Sequence, residues 1–415
     1  MAGLHIMGDG GRREWLLRYG LGLGCLGLVL AFALLHAVAP HVYVFFTRIP
    51  DGAGKWHPFV DLRAILQGGA CWRQGVDVYA PSACLGGGTF NYSPLLLRAA
   101  LLPIGPRDAL AGGVLFCGAY AGALCLLPSP AGWGEFWLRA AAAFSPAGYY
   151  ALEQGNLDVL IFAAVVLVLR LGWRRRGWGY AVFALGAGAK FYPVALFALA
   201  LRESRRVFLL LAGAGLALTA LALAFYGHGL VAALTSIPSG TPFRASFGRI
   251  DLTRGLVMLR LLPHGSAQIC AWVLALAALA LAVWRRAVWA RKLTGLPANE
   301  ALFLVAGAVV IAFCFMAAQN FEYRAIFLLL TLPGLCRLSR FLPGVVLVLL
   351  WEAVPRAMLA GLAQPYLPHP AAFVFWLLRE GAWWWLVVEF LAIALAFAEA
   401  ELQRLKLTLP GGTHK

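Results

Sequence analysis

Charged side chains are scarce in this sequence. Aspartate, glutamate, lysine and arginine make up 13% of its 415 residues, whereas hydrophobic residues make up 62%. Because a soluble domain carries about 25% charged residues, this composition excludes an ordinary soluble protein and predicts an integral membrane protein. Apolar runs recur along the whole chain. They predict an all-α polytopic protein with about 12 transmembrane helices in one domain over residues 1–415.

Motifs for nucleotides and metals are also missing. The sequence has no phosphate-binding glycine loop ending in Lys-Ser or Lys-Thr, no Asp-x-Asp in residues 43–107, and no cysteine or histidine spacing of a zinc site. Its net charge of +16 is carried by short turns between apolar runs, where membrane orientation explains it. We therefore expect no metal and no nucleic acid partner.

The few charges are divided between the two faces of the membrane. Arg12, Arg13 and Arg18 place the N-terminus in the cytoplasm, and the later arginine clusters then also fall inside, so both termini are predicted to be cytoplasmic. The outer face collects polar residues of both signs, which predicts a functional site there. These residues are Asp51, Asp61, Asp77, Glu153, Asp158, Asp251, Glu322, Lys190, Arg249 and Arg324.

Two stretches, residues 43–107 and 227–262, are expected to form outer loops. In the first loop (residues 43–107), the apolar residues of 56–66 are spaced as in a short helix that lies on the membrane surface and starts at Pro58. Asp61 falls in its first turn. Partial burial would raise the pKa of this carboxyl group and neighbouring Arg63 or His57 would lower it, which makes Asp61 a candidate general base. The alternative is that Asp61 only caps the helix.

A second candidate is Lys190. Arg176 and Arg205 are both predicted to be cytoplasmic, so the segment between them must be a hairpin of two short helices that turns at residues 189–193. Broken helices occur in membranes where their ends face protein or a wet cavity. Lys190 is expected to point into an outward-facing cavity; the alternative is that it reaches the lipid headgroups.

The first loop also contains a cysteine pair and two tyrosines in turns. Cys71 and Cys84 are expected to form a disulfide if the outer compartment is oxidising, and to stay free otherwise. Tyr79 and Tyr92 lie next to prolines, where they belong either to a binding site or to an interfacial aromatic belt.

Four short motifs resemble those of a known family. Asp77-Val-Tyr-Ala-Pro, Phe90-Asn-Tyr-Ser-Pro-Leu, Glu153-Gln-Gly-Asn-Leu-Asp and Gly188-Ala-Lys-Phe-Tyr-Pro occur in this order. The arrangement, over about residues 17–335, resembles the bacterial polyprenyl-phosphate-mannose-dependent α-1,2-mannosyltransferases of the GT-C superfamily, which include arabinofuranosyltransferase-like members. The sequence departs from the family pattern in two places: Ser93-Pro94 stands where the family often has two prolines, and Asp158 where an apolar residue is common.

The resemblance implies a fold, a reaction and a site. The fold is a GT-C-like bundle, and the reaction is inverting transfer of a sugar, most simply mannose, from a polyprenyl-phosphate donor to a lipid or glycan acceptor. The active site would face the periplasm of a bacterial inner membrane, with Asp61 as the base and without a divalent metal. Lys190, Arg249 and Arg324 are expected to bind the donor phosphate. The sugar or acceptor would contact His57, Arg63, Asp77, Tyr79, Tyr92, Glu153, Asn156, Asp158, Tyr192, Gln319 and Glu322.

Alternatives to this function stay open at the level of sequence. A flippase or transporter of lipid-linked sugars needs the same apolar groove and cations, and an O-antigen ligase or polymerase also acts on lipid-linked glycans. The alternative role of Arg249 and Arg324 is to set the orientation of the chain in the membrane or to contact lipid headgroups. The polar residues predicted to contact the sugar have structural ion pairs as theirs.

Overall fold

The computed structural model describes residues 9–39, 41–42, 58–171, 176–237, 240–360 and 370–407. In these ranges the α-helices are α1 (Asp9–Val38), α2 (Val60–Arg73), α3 (Pro94–Leu97), α4 (Ala109–Leu126), α5 (Trp133–Ala143), α6 (Pro146–Glu153), α7 (Leu157–Leu171), α8 (Arg176–Lys190), α9 (Arg205–Thr235), α10 (Asp251–Met258), α11 (Ala267–Leu293), α12 (Ala298–Ala317), α13 (Leu328–Leu338), α14 (Leu342–Leu350), α15 (Ala353–Ala360) and α16 (Pro370–Leu407). Tighter 3-10 helices cover Ala83–Leu85, Arg98–Leu101, Pro106–Asp108, Tyr192–Arg202 and Glu322–Phe327. Strands β1 (Ser246–Phe247) and β2 (Asn320–Phe321) pair antiparallel.

Helices that can cross a membrane dominate the fold. In the described ranges six are long and apolar enough: Gly10–Val38, Pro106–Leu126, Arg205–Thr235, Ala267–Leu293, Ala298–Ala317 and Pro370–Arg404. Two bent pairs, α6 with α7 and α14 with α15, raise the number to 8 if each pair is one span. The predicted all-α polytopic membrane protein is thereby confirmed, while the count of about 12 crossings stays a prediction.

The bundle has an enclosed centre and a lipid-facing rim. In α12, 78% of the most apolar stretch is buried, and Phe303 and Phe315 have no exposed surface. Phe247 of β1 stacks on Trp383 of α16 with ring centroids 4.2 Å apart. By contrast, none of the most apolar stretch of α9 is buried. Helix α9 is therefore a peripheral helix whose surface is left for lipid.

Several element boundaries differ from the predicted ones. The predicted helix over 138–152 is two helices, because Ser145 caps α6 by accepting the Gly148 N–H at 3.3 Å and Pro146 opens it. The predicted second arm of the hairpin, 191–202, is a 3-10 helix, and the predicted helix over 382–399 is part of the longer α16. Helix α9 continues to Thr235, so the second loop begins after that residue rather than at 227.

Candidate active site

A break between α6 and α7 organises the polar residues of the bundle. The two helices are bent by 110°. Helix α6 closes with Gly155 at φ 59°, the Gly155 N–H donating to Leu152 O and the Asn156 N–H to Ala151 O, both at 3.0 Å. This pair of bonds is a common helix stop that needs the left-handed glycine. Asn156 then starts α7, because its Oδ1 accepts the Asp158 N–H at 3.0 Å.

The start of α2 fits onto the end of α6. The N–H groups of Phe59 and Asp61 donate to the carbonyls of Glu153 and Gln154 at 2.7 and 2.9 Å. A helix leaves its first N–H groups and its last carbonyls without partners inside itself, so each helix end supplies what the other lacks. Gly155 allows this approach, since a Cβ there would lie 2.9 Å from the Cβ of Phe59. The backbone of the first loop thus places Asp61 against the break.

Asn156 connects Asp61 to Lys190. Its Nδ2 donates to Asp61 Oδ2, and its Oδ1 accepts from Lys190 Nζ at 2.7 Å. No side chain caps the start of α2, so the carboxylate of Asp61 is not used as a helix cap and faces the bundle. It also keeps partial solvent exposure. A carboxylate in this setting is able to accept the proton of a bound hydroxyl group.

Opposing effects act on the protonation of Asp61. Burial raises the pKa of its carboxyl group, whereas Lys190 and the hydrogen bond from Asn156 lower it, and Asp158 adds a further rise. The outcome is a pKa above the usual value for aspartate. Such a shift brings a carboxylate closer to the range in which it works as a general base.

Asp158 holds the cations of the site. It is fully buried, its Oδ1 accepts from Lys190 Nζ at 2.7 Å and from the Tyr192 hydroxyl at 2.8 Å, and its Oδ2 pairs with Arg324 Nε at 3.3 Å. Both carboxylate oxygens therefore have protein donors. The structure directs Asp158 toward Lys190 and Arg324 rather than toward an open space for a sugar.

Among the residues that the structure describes, Lys190 and Arg324 each have fewer hydrogen-bond partners than donors. Lys190 donates to Asn156 and Asp158 and lies 5.4 Å from the ring centre of Tyr323. Arg324 donates to Asp158 and Asn320 and stacks on Tyr192 at 4.7 Å. Their side chains are 10% and 18% exposed, respectively. An ammonium group has three donors and a guanidinium has five, so both groups are able to bind an anion as well.

The turn after Lys190 fixes the direction of its side chain. Lys190 is the last residue of α8, Phe191 follows at φ 39°, and Pro193 lies in the first turn of the 3-10 helix. A residue other than glycine at positive φ is uncommon and is retained where the surroundings require it. The chain thus turns within the predicted residues 189–193, and Tyr192 follows directly to reach Asp158.

Other predicted residues of the first loop lie around this network. Arg63 and Asp77 are exposed, and the Tyr79 hydroxyl donates to Tyr92 O at 3.1 Å. Tyr92 lies within electrostatic reach of Asp61. The carboxylate of Glu153 accepts from the side chain of Gln154. His57 lies outside the described residues.

A disulfide ties down the other end of the helix that carries Asp61. Cys71 of α2 is joined to Cys84, with the two Cα atoms 6.0 Å apart. Gln67, also on α2, donates to Cys84 O at 3.1 Å. Helix α2 is therefore held at its start by α6 and at its end by the disulfide.

Glu322 and Gln319, both predicted to contact the sugar, lie in a second polar cluster. Both oxygens of Glu322 accept from Arg356, one of them at 2.8 Å. Gln319 donates to the buried Asp251, and Arg379 pairs with Glu352 at 3.2 Å. The structure therefore does not bring Glu322 and Gln319 to Asp61.

Arg249 is also separate from the network. Its Nε donates to Met316 O at 2.7 Å, and its guanidinium lies 3.8 Å from the ring centre of Trp272. Of the three predicted phosphate ligands, Lys190 and Arg324 converge on Asp158, whereas Arg249 packs against α11.

Several residues of these clusters, Arg379 and Glu352 among them, were not predicted. Tyr323 and Tyr150 have ring centroids 5.6 Å apart beside Lys190, and no sequence pattern marks them. Arg356 neutralises Glu322. It did have a signal, because an arginine inside an apolar run of a membrane protein is rare and needs a partner.

Fold and site together define a membrane-embedded protein with a carboxylate and a cation pair at a helix break. The family model of glycosyltransferase family 87 matches residues 90–317, more than half of the chain. The chain therefore belongs to glycosyltransferase family 87, a GT-C-like family, and is a membrane glycosyltransferase. Asn156, Asp158 and Lys190 lie in the matched range, while Asp61 and Arg324 lie on either side of it. No curated protein and no solved structure matches the chain.

Proposed function

We propose that the protein is an inverting glycosyltransferase that moves a sugar, most simply mannose, from a polyprenyl phosphate to a hydroxyl group of a lipid or glycan acceptor. The observation that carries the proposal is that one amide, Asn156, binds both the carboxylate of Asp61 and the ammonium of Lys190. Asn156 thereby holds the proposed base for the acceptor at a set distance from the proposed cation for the leaving phosphate.

The reaction follows from this arrangement. Asp61 takes the proton of the acceptor hydroxyl while the acceptor oxygen bonds to the anomeric carbon. The bond from that carbon to the donor phosphate oxygen breaks, and its electron pair leaves with the polyprenyl phosphate. Lys190 and Arg324 stabilise the charge that develops on this phosphate. Since they are already ordered by Asp158, little reorganisation is needed when the charge appears.

Inversion is favoured because Asp61, which keeps partial exposure, is suited to act as a base, whereas Asp158 is not suited to act as a nucleophile. Retention of configuration through a covalent intermediate needs a carboxylate nucleophile. Asp158 is unsuited to this role, since both of its oxygens have protein donors and it is fully buried. A direct attack with Asp61 as the base is therefore the simpler proposal.

A lipid-linked donor agrees with the surroundings of the site. Lys190 and Arg324 supply fixed positive charge for a phosphate without a divalent metal, and the lipid-facing helices offer an apolar surface for a polyprenyl chain. With the arginine clusters inside, the site faces the periplasm of a bacterial inner membrane, and both termini are cytoplasmic. The partners are then membrane lipids, the donor and the acceptor.

The test is transfer by the purified protein. Wild type, Asp61→Asn and Asp108→Asn are incubated with radiolabelled polyprenyl-phosphate mannose, other polyprenyl-phosphate sugars and a membrane lipid extract as the source of acceptors. Loss of a general base should lower transfer at least about a hundredfold in Asp61→Asn, while donor binding persists. Asp108→Asn is the matched control, because Asp108 is exposed and only accepts the Gly105 N–H at 2.8 Å.

Three results would contradict the proposal. Transfer by Asp61→Asn at the wild-type rate would remove Asp61 as the base. Movement of the intact lipid-linked sugar across vesicles, unaffected by Asp61→Asn and without transfer, would identify a flippase instead. A labelled product built from preassembled glycan on a lipid carrier, and not from single sugars, would identify a ligase or polymerase.

A further inference from the structure

A cavity separate from the Asp61 network lies between the first loop and α9. It has a volume of about 560 Å³ and is lined on one side by Trp72, Asp77 and Arg98 and on the other by Tyr226 and His228. None of the residues that bind Asp61 or Asp158 lines it. It is therefore a second space, with its own charged group.

Arg98 is the cation of this cavity. Its guanidinium lies 5.3 Å from the ring centre of Trp72 and 5.5 Å from that of Tyr226, so two aromatic rings hold it. Within the part of the chain that the structure describes, it has no hydrogen-bond acceptor and no ion pair with Asp77, and it is exposed. A guanidinium fixed by its faces keeps its N–H edge for an oxyanion.

The position along α9 sets the depth of Arg98. Arg205 and Arg206 begin this helix, and Tyr226 follows 21 residues after Arg205. At about 1.5 Å per residue this is roughly 32 Å, which matches the thickness of the hydrocarbon layer. If the two arginines lie at one headgroup layer, Tyr226 and Arg98 lie at the other. No residue in the most apolar stretch of α9 is buried, so lipid chains have access to the cavity along this helix.

One segment separates this cavity from the Asp61 network. Pro94 and Leu97 line the cavity, while Tyr92, just before them, lies within reach of Asp61. Leu95 of the same segment packs closely against α8, since a Cβ on Gly188 would lie 2.7 Å from Leu95 Cδ2. The Phe90-Asn-Tyr-Ser-Pro-Leu motif therefore lies between the cavity and the Asp61 network and separates them.

We propose that the Arg98 cavity binds the phosphate headgroup of a lipid whose chain lies along α9. Arg98 would bind the phosphate through charge-assisted hydrogen bonds. Oδ1 of Asp77 accepts the Tyr79 N–H at 3.0 Å, and its other oxygen has no donor among the described residues, so that oxygen is able to accept from a headgroup hydroxyl. The phosphate belongs either to a polyprenyl carrier or to a phosphodiester membrane lipid. Assigning it to the carrier rests on the proposed function, whereas binding of a lipid phosphate does not.

Photolabelling of the full-length protein in detergent tests this site. The probe is a radiolabelled prenyl phosphate with a diazirine in the first isoprene unit, and labelled peptides are mapped by mass spectrometry. Labels are expected in residues 72–79 and 223–229. Arg98→Gln should raise the probe concentration needed for half-maximal labelling at least about tenfold. Arg98→Lys should give an intermediate loss, because it keeps the charge but not the planar fork. Arg107→Gln, at an exposed arginine outside the cavity, is the matched control.

Competition identifies the source of the phosphate. Protection by unlabelled farnesyl phosphate alone supports a carrier site, and protection by phosphatidylglycerol as well supports a general lipid-phosphate site. Equal protection by uncharged farnesol, or unchanged labelling of Arg98→Gln, overturns the proposal. Asp61→Asn should keep the labelling. If wild type labels here but transfers no sugar, the proposed function fails and this site stands.

Discussion

Replacement of Asp158 by asparagine tests whether this residue positions the cations. The substitution keeps the size of the side chain and removes its negative charge. Lys190 at 2.7 Å and Arg324 at 3.3 Å then lose the anion that they share. Asparagine keeps one acceptor oxygen, so a bond to Lys190 or to Tyr192 is retained, but not the full set.

The structure sets the size of the expected effect. Loss of one preorganised electrostatic contact to a transition state costs about 2.7–4 kcal/mol, and the retained acceptor oxygen points to the lower end. A loss of about 3 kcal/mol in the transition state corresponds to a fall of about a hundredfold in kcat. The KM for the donor should be unchanged or lower, because Asp158→Asn raises the net positive charge around Lys190 and Arg324, where the donor phosphate is proposed to bind.

The assay is steady-state transfer from polyprenyl-phosphate mannose, with thermal unfolding in detergent as the check on folding. Asp251→Asn is the matched control, since Asp251 is equally buried but bonds to Gln319 in the second cluster. A kcat within threefold of wild type for Asp158→Asn would refute the positioning role. A rise in KM at constant kcat would refute it too, since that result would place Asp158 on the substrate.

The remaining predictions concern the base, the helix break, the disulfide and the second cluster. Transfer should decline on acidification through the pKa of Asp61, which burial raises above the ordinary aspartate value, so the acid limb of the pH–rate profile should lie above that value; a limb at or below it would contradict the burial argument. Gly155→Ala should cost at least about 1–2 kcal/mol through its φ of 59° and abolish transfer, and a native unfolding temperature would refute this. Replacing Cys71 and Cys84 by serine should lower the free energy of unfolding by about 3 kcal/mol relative to the disulfide-bonded wild type, and reduction of the wild type should cause a similar loss. Burial raises the pKa of Asp251 to about 7, so wild type should lose stability as pH rises from about 4 to 7, and Asp251→Asn should flatten that loss.

Local patterns in the sequence predicted the chain reversal after Lys190, and the residues of the break between α6 and α7 stand within one of the four family-like motifs. Gly155 and Asn156 end one helix and start the next within two residues. Lys190 precedes a turn that Pro193 closes. Each reversal therefore depends on residues that are neighbours in the sequence. Membrane class followed from composition for a similar reason, since the apolar length of a helix is a local property. The contact of Asp158 with the sugar stays a prediction, and its protein partners come from distant segments that no local pattern identifies.

The segment 319–324 explains why the division into two clusters could not be predicted. Glu322 and Arg324 both looked like ligands on the outer face, yet they lie in a 3-10 helix, where residues two apart point to different sides. Arg324 meets Asp158, 166 positions away, and Glu322 meets Arg356, 34 positions away. Each pairing depends on how α7 and α15 pack against this turn, which no local pattern encodes. The polar residues predicted on the outer face therefore identify the end of the bundle where the chemistry is proposed. Helix packing determines which of these charged side chains pair with each other and which are able to bind a substrate.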